Sequence, residues 1–273
     1  MLKENCRVVE NKKIAPGHWV MTLHSAAIAK AARPGQFAQL LCADDSFDPL
    51  LPRPFSFLDA SVADFSILYH VVGKGTELLS KTAKGESLRV LGPLGNGFSL
   101  KPGPKENLIL VGGGVGIPPL FHLARTLIKN KTADKKKIEV ILGARNKSLL
   151  LCAGDFKKLG VKLTPATNDG SKGVKGLVTE PLRQSLQPIS GPRLSGTTPY
   201  RIYTCGPTPM LKAVSEISVK CKVPCEVSVE VPMACGFGAC LGCAIAVKDE
   251  AGNQRFAIAC TEGPVFESSR ILW

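Results

Sequence analysis

Four of the ten cysteines in this 273-residue chain have a spacing that could do chemistry. Cys235, Cys240 and Cys243 follow C-x4-C-x2-C in the run Cys-Gly-Phe-Gly-Ala-Cys-Leu-Gly-Cys, and Cys260 stands alone downstream. This is the spacing with which four thiolates hold a plant-type [2Fe–2S] cluster. The thiolates must converge on two irons from a tight loop, so small residues are needed where the backbone wraps the inorganic core. Gly236, Gly238, Ala239 and Gly242 supply that room, and glycine reaches positive φ without steric cost. A structural zinc site also takes four cysteines. Zinc ribbons, however, pair C-x2-C with C-x2-C, and here the fourth cysteine has no such neighbour. Spacing and glycine content together favour iron–sulfur.

The remaining cysteines (Cys6, Cys42, Cys152, Cys205, Cys221 and Cys225) are scattered, which suits a reducing compartment better than a disulfide framework. Cys221 and Cys225, close before the cluster run, could be ligands or buried apolar residues; burial is favoured. The start of the chain, Met1-Leu-Lys-Glu-Asn-Cys-Arg, has no apolar signal core. No apolar run is long enough to cross a bilayer. A soluble cytoplasmic protein is expected, with no membrane insertion. The formal charge of +13 raises nucleic acid as a partner, but the lysines are dispersed and only Lys135-Lys136-Lys137 form a dense run. That run reads as a solvated loop before a strand. With 6% aromatic residues, stacking platforms for bases are scarce, so nucleic acid is not expected. A positive field could equally draw an anionic dinucleotide or an acidic partner, and charge alone does not choose.

The first third supplies short strands. Trp19, Met21 and Leu23 alternate on one face of Trp19–His24, and Gln36–Cys42, Phe55–Phe57, Phe65–Val72 and Ser87–Leu91 continue the series. Gly73-Lys-Gly75 and Gly92-Pro-Leu-Gly-Asn-Gly97 punctuate them, and this density predicts an antiparallel barrel. Two stretches could be chemical. Arg53, fixed beside prolines in Arg53-Pro54-Phe55-Ser56, could bind phosphate in a bidentate way and Ser56 could reach a ring nitrogen; alone, a solvated arginine at a strand start explains it as well. Gly73-Lys-Gly75-Thr76 before a helical pattern could be an anion site, or an ordinary loop and cap.

The middle third reads as a nucleotide-binding α/β domain. Asn107–Val111 is a buried parallel strand, followed by Gly112-Gly113-Gly114-Val115-Gly116, Pro118-Pro119 and a helix with Leu120, Leu123, Ala124, Leu127 and Ile128 on one face. The loop is neither G-x-G-x-x-G, since residue 117 is Ile, nor a P-loop. Lys137–Leu142 and Arg201–Cys205 are further strands, and Met210, Leu211, Val214 and Ile217 mark another amphipathic helix. Ligands are expected at the carboxyl ends of a parallel sheet. Cys205 falls there, although a buried structural thiol explains its position equally well. The Ser-, Pro- and Gly-rich segment Leu182–Pro199 reads as a surface loop.

Together, Pro34-Gly-Gln-Phe37, Arg53-Pro-Phe-Ser56, Gly73-Lys-Gly-Thr76, Gly92-Pro-Leu-Gly95, Gly112-Gly-Gly-Val-Gly116 and Cys205-Gly-Pro207 resemble the ferredoxin–NADP reductase superfamily, in that family's order over nearly the whole chain. Within it, Met233–Cys243 resembles the electron-transfer subunits of bacterial dihydroorotate dehydrogenase B. The resemblance implies a FAD-binding barrel over residues 1–102, a NAD-binding α/β domain over 103–222 and a [2Fe–2S] module over 223–273. It implies that Arg53, Pro54, Phe55 and Ser56 line FAD, with Arg53 at phosphate and Ser56 at the isoalloxazine edge. Leu68, Tyr69 and His70 would run along the flavin, and Gly75 and Thr76 would hold its pyrophosphate. Gly113, Gly114 and Gly116 would bind NAD(H), with Cys205, Gly206 and Pro207 beside the nicotinamide. Cys235, Cys240, Cys243 and Cys260 would ligate the irons, with no acid–base residue required.

The implied partner is an FMN-containing dihydroorotate dehydrogenase catalytic subunit, in a heterotetramer serving pyrimidine biosynthesis. In the related flavin subunits of ferredoxin-dependent NADP oxidoreductases, Asp takes the first ligand position; Cys235 favours the dihydroorotate reading. A self-standing NAD(P)H reductase for ferredoxin or an oxygenase, and a flavin-less zinc-stabilised binding module, are the alternatives. Arg145 could reach a 2′-phosphate and Asp169 a ribose hydroxyl, so NADH and NADPH are not distinguished. Phe237 and Leu241 at the loop tip suit a protein interface, or could pack inward.

Overall fold

The computed structural model describes residues 1–43, 47–104, 106–186 and 200–273. Six strands close the expected antiparallel barrel in the order β1-β2-β5-β4-β3-β6: β1 (Leu2–Ala15), β2 (His18–His24), β3 (Phe37–Leu40), β4 (Arg53–Ala60), β5 (Asp64–His70) and β6 (Ser87–Leu94). Alternation decides what goes inside. Met21, Leu23, Phe57, Phe65 and Ile67 fill the interior with little or no exposure, while the intervening side chains of β3, β4 and β5 face outward, toward the rest of the molecule. Two short helices close the ends, α1 (Ala26–Ala31), capped by Ser25, and α2 (Lys74–Lys81), which starts at Gly73.

The second layer is a seven-stranded sheet among the described residues, ordered β10-β9-β8-β7-β11-β12-β15. Its strands are β7 (Asn107–Gly113), β8 (Ile138–Ala144), β9 (Lys162–Thr167), β10 (Val174–Lys175), β11 (Tyr200–Cys205), β12 (Cys225–Ser228) and β15 (Val265–Glu267). All neighbours pair in parallel except β15, which runs antiparallel to β12. Leu108–Val111 is fully buried because helices cover both faces of the sheet: α3 (Ile117–Lys129), α4 (Ala153–Leu159), α5 (Thr179–Leu186) and α6 (Thr208–Cys221). Pro118 and Pro119 occupy the first turn of α3, where a missing N–H costs nothing. Its Leu120, Leu123 and Leu127 are wholly buried, each contributing about 2 kcal/mol; an aspartate at Leu123 would break that face.

Helix α3 also packs on β4 of the barrel, where Arg125 pairs with Asp59. Residues 182–186 of the expected surface loop are helical, closing α5 with Leu182 and Leu186 buried; residues 187–199 lie outside the described residues. The third part of the chain adds a hairpin, β13 (Ala244–Lys248) with β14 (Gln254–Ile258), between the cluster run and Cys260. Among the described residues no helix is long and apolar enough to cross a membrane.

Candidate functional site

Strand β7 ends at Gly113, a single 3-10 turn covers Gly114–Gly116, and α3 begins at once. The turn opens on a cleft of about 730 Å³ at the carboxyl edge of the sheet, bordered by Gly113, Gly114, Arg145, Val178 and Pro207. Gly114 has φ +57 and open space where a side chain would begin. Gly116 has an ordinary φ of −78°, yet a Cβ there would lie 2.5 Å from the carbonyl carbon and oxygen of Cys205. Gly116 therefore packs directly on the Cys205–Gly206 backbone, holding the start of α3 against the end of β11. Asp169 turns away onto Ser171, accepting from its N–H (2.9 Å) and its hydroxyl (2.6 Å), and those bonds lower its pKa.

A second cavity, of about 360 Å³, lies between the outer face of the barrel and the end of β12. From β4 it takes Arg53, Pro54, Phe55 and Ser56, and from β5 Leu68, Tyr69 and His70. Thr76, Cys205, Ser228, Glu230 and Met233 complete much of the wall. His70 and Val115 border both cavities, so the two are neighbours. At one end Arg53 crosses the start of α2: a Cβ on Gly75 would come within 3.3 Å of its Nε. Arg53 Nη1 is tied to Leu51 O at 2.6 Å. Thr76 Oγ1 accepts from Val72 N (3.0 Å) and donates to Gly73 O (3.0 Å), which shapes the helix entry. A fixed guanidinium over the positive end of a helix is chemistry suited to a diphosphate.

At the other end, burial first and then the Glu230 carboxylate raise the Cys205 thiol far above its ordinary range, so it is a neutral thiol beside Ser228. The His70 ring stacks on His18 at 4.3 Å with planes 3° apart; desolvation, then His18 and Arg145, lower the His70 pKa.

Met233 leads from this cavity directly into the cysteine loop. Gly236 (φ +80) and Gly238 (φ +90) make its turns, and Leu241 is also left-handed at φ +57. The four sulfurs fall into two pairs. Cys235 accepts from Cys240 N at 3.5 Å and contacts the Cys240 thiol. Burial would raise Cys235, but N–H groups of Phe237 and Cys240 outweigh it and lower the thiol to about 6. Cys243 and Cys260 form the second pair, in which burial, then contact with Cys243, raise Cys260 to about 12. Two pairs suit two irons that each need two thiolates. Among the described residues no three candidate ligands gather around a point for a single ion.

The barrel grips this loop at both ends. Asn96 donates to Thr261 O and Glu262 O, both at 3.0 Å, just after Cys260, and Gln39 Nε2 faces Ala234 O at 3.5 Å, just before Cys235. At the tip Phe237 and Leu241 are 47% and 59% exposed, beside exposed Cys240. Cys225 is buried in β12 against Ser218 and Ser268, and Cys221 ends α6; neither belongs to the loop.

Residues 230–272 match the model of the iron–sulfur cluster binding domain of dihydroorotate dehydrogenase B, and residues 110–216 match the oxidoreductase NAD-binding domain. A protein of Caldanaerobacter subterraneus subsp. tengcongensis, the electron transfer subunit of dihydroorotate dehydrogenase B (NAD(+)), is 38% identical over 99% of both chains. The same subunit of Desulforamulus reducens is 37% identical over 98% of both. The chain belongs to the family of dihydroorotate dehydrogenase B electron transfer subunits. A solved NADH-dependent reduced ferredoxin–NADP oxidoreductase, described for flavin-based electron bifurcation, shares the architecture with a TM-score of 0.80 and 31% identity, covering 98% of this chain and 90% of that one.

For this member of the family, the motifs along β4, β5 and α2 converge on one cavity, and Gly113, Gly114 and Pro207 on the adjacent cleft. Cys205 and Thr76 border the first cavity, whereas Gly75, Gly116 and Gly206 border neither. Sequence reasoning missed Ser228, Glu230 and Met233 as cavity residues, and Gln39 as a loop contact. Ser228 and Glu230 carry one usable signal: they sit at and just past the carboxyl end of a parallel strand beside Cys205, where ligands collect.

Proposed function

We propose that this chain is the electron-transfer subunit linking NAD(H) to the FMN of a dihydroorotate dehydrogenase catalytic subunit in pyrimidine biosynthesis. The arrangement that carries the reading is a sequence of neighbours: a dinucleotide cleft, a cavity sharing His70 and Val115 with it, and a four-cysteine loop leaving that cavity at Met233. FAD in the cavity supplies the conversion between the hydride pair of a nicotinamide and the single electrons that a [2Fe–2S] cluster carries.

In this reading Arg53, Gly75 and Thr76 hold the FAD pyrophosphate. Ser56 meets the isoalloxazine edge, with Pro54, Phe55, Leu68, Tyr69 and His70 along the flavin. Gly113 and Gly114 receive the dinucleotide phosphates, and Gly116 with Gly206 lets the backbone of Cys205–Pro207 approach the nicotinamide. Burial first, and then the Glu230 carboxylate, keep the Cys205 thiol neutral at that point, against the opposing pull of the Ser228 hydrogen bond. Cys235 and Cys240 serve one iron, Cys243 and Cys260 the other. The working units are residues 1–102, 103–222 and 223–273, the last lending β12 and β15 to the sheet. Phe237 and Leu241 meet the partner subunit in a heterotetramer. The scatter of the cysteines outside the loop supports a cytoplasmic setting.

The test is the visible spectrum of the anaerobically purified chain before and after NADH, followed by mixing with the FMN-containing catalytic subunit. Flavin bands with a cluster shoulder, both bleaching with NADH, and dihydroorotate-dependent NADH formation by the mixture are expected. A colourless, zinc-bearing protein overturns the reading. A second reading, a self-standing NAD(P)H reductase for ferredoxin or an oxygenase, draws on the 31% likeness to the ferredoxin–NADP oxidoreductase. It prevails if added ferredoxin is reduced while the catalytic subunit neither binds nor exchanges electrons.

A further inference from the structure

Gln39 is an anomaly in the barrel wall. It lies on β3 between Ala38 and Leu40, which point into the barrel core, so its own side chain faces outward. Yet it is only 1% exposed, because the cysteine loop covers it. Its Nε2 faces Ala234 O at 3.5 Å, a long contact for a hydrogen bond, and its Oε1 has no partner at all. A buried amide left this incompletely satisfied is costly to the fold and calls for a reason.

The surroundings supply one. Two residues back on the same face of β3, Phe37 borders the 360 Å³ cavity, and Pro54, paired with Gln39 across the strands, borders it as well. On the loop side, Met233 borders the cavity, Ala234 faces the amide, and Cys235 is the first ligand of the cysteine loop. A Cβ on Gly236 would lie 2.7 Å from Gln39 Cγ and 2.8 Å from Nε2, so the loop backbone rests directly on the amide. Asn96 secures the Cys260 end of the loop with two 3.0 Å bonds; Gln39 is its counterpart at the Cys235 end.

We infer that Gln39 is a positioning residue that sets the separation between the flavin cavity and the cluster by holding Ala234 and Gly236 against β3. The inference rests on the flavin and cluster assignment above. Gln39 touches neither cofactor's assigned ligands; it acts through the backbone that joins Met233 to Cys235. Residues that orient ligands from behind are typically worth about 10–100-fold in affinity or activity when removed.

The test is anaerobic stopped-flow reduction of the full chain by NADH, with flavin and cluster bleaching followed separately, on wild type, Gln39→Met and Gln39→Asn. Met keeps the volume and removes the amide; Asn keeps an amide too short to reach Ala234. Cofactor content, flavin bleaching rate and the intensity of the reduced-cluster electron paramagnetic resonance signal are expected to match wild type, while cluster bleaching slows about tenfold or more in both variants. Cluster bleaching at the wild-type rate overturns the inference. So does equal slowing of both phases, or loss of both cofactors in both variants, because Gln39 would then serve the fold in general. Absence of flavin and cluster from the wild type would instead sink the underlying functional reading.

Discussion

Gly116→Ala should damage this protein out of proportion to its size. The backbone there (φ −78°, ψ −1°) is open to any residue, so conformational preference gives no reason for glycine. The reason is contact: the added carbon would sit 2.5 Å from the Cys205 carbonyl carbon and oxygen, and nearer still to Gly206 N. None of these is the tip of a flexible side chain, so the glycine turn and the β11 turn must move apart. Overpacking of a rigid site costs about 1–3 kcal/mol, and a backbone-on-backbone clash belongs at the upper end. Gly114→Ala is the control. Its φ of +57° is unfavourable, but nothing lies within 4 Å of the new carbon, so the cost is about 1 kcal/mol. At about 2–4 °C per kcal/mol for a protein of this size, Gly116→Ala should lower Tm by about 6–12 °C and Gly114→Ala by about 3 °C. Differential scanning calorimetry of the FAD-loaded chain reads both. Because Cys205 borders the cavity proposed to hold FAD, Gly116→Ala should also slow flavin bleaching by NADH. A Gly116→Ala protein that melts at or above Gly114→Ala refutes this account of the contact.

Arg53→Met should weaken FAD binding about 30-fold, the equivalent of about 2 kcal/mol for a lost charged hydrogen-bonding group, read by flavin fluorescence on titrating stripped protein; unchanged affinity would place the phosphates elsewhere. His122, buried in α3 with Nδ1 unpaired, has its pKa lowered by burial from 6.5 to about 4. The folded state therefore resists a proton that the unfolded chain accepts, and stability present above pH 6.5 is lost as pH falls toward 4. Between pH 7 and pH 5 this amounts to about 2 kcal/mol, so Tm should drop about 4–8 °C more in wild type than in His122→Leu. Equal drops would show that His122 carries no such load. Phe237→Asp with Leu241→Asp should weaken binding of the catalytic subunit about 100-fold or more in a calorimetric titration, with the visible spectrum unchanged. Unaltered affinity would move the interface away from the loop tip.

Much of this molecule was readable from residue pattern, and the gaps have physical causes. Strands β2 to β6 and the β7-turn-α3 unit announce themselves because one face or both are buried, which imposes a period on apolar residues. Strand β1 escaped because its 14 residues are mostly charged or polar and only Cys6 and Val8 are buried, the remainder being exposed or half-buried. Strands β12 and β15 escaped because four and three residues are too short to show a period, and their partners are far away in sequence. Helix α5 was hidden by Pro181 and polar neighbours that suggested a loop. The cysteine spacing named its chemistry unaided, because ligand geometry is local. Glu230 and Gln39 carry no motif, since their importance arises only when β12 and β3 meet the cysteine loop in space.

The way the last third enters the sheet also bears on how electrons travel. Strand β12 leaves the sheet at Ser228 and β15 rejoins it at Val265, paired with the very residue where the chain departed. Everything between, including all four cysteines, is a closed excursion anchored at both feet. A carrier hung on one linker could swing between donor and acceptor; this one is a fixed terminal. In the proposed assembly, electrons therefore leave through the loop tip to an acceptor seated against it, without travel of the cluster.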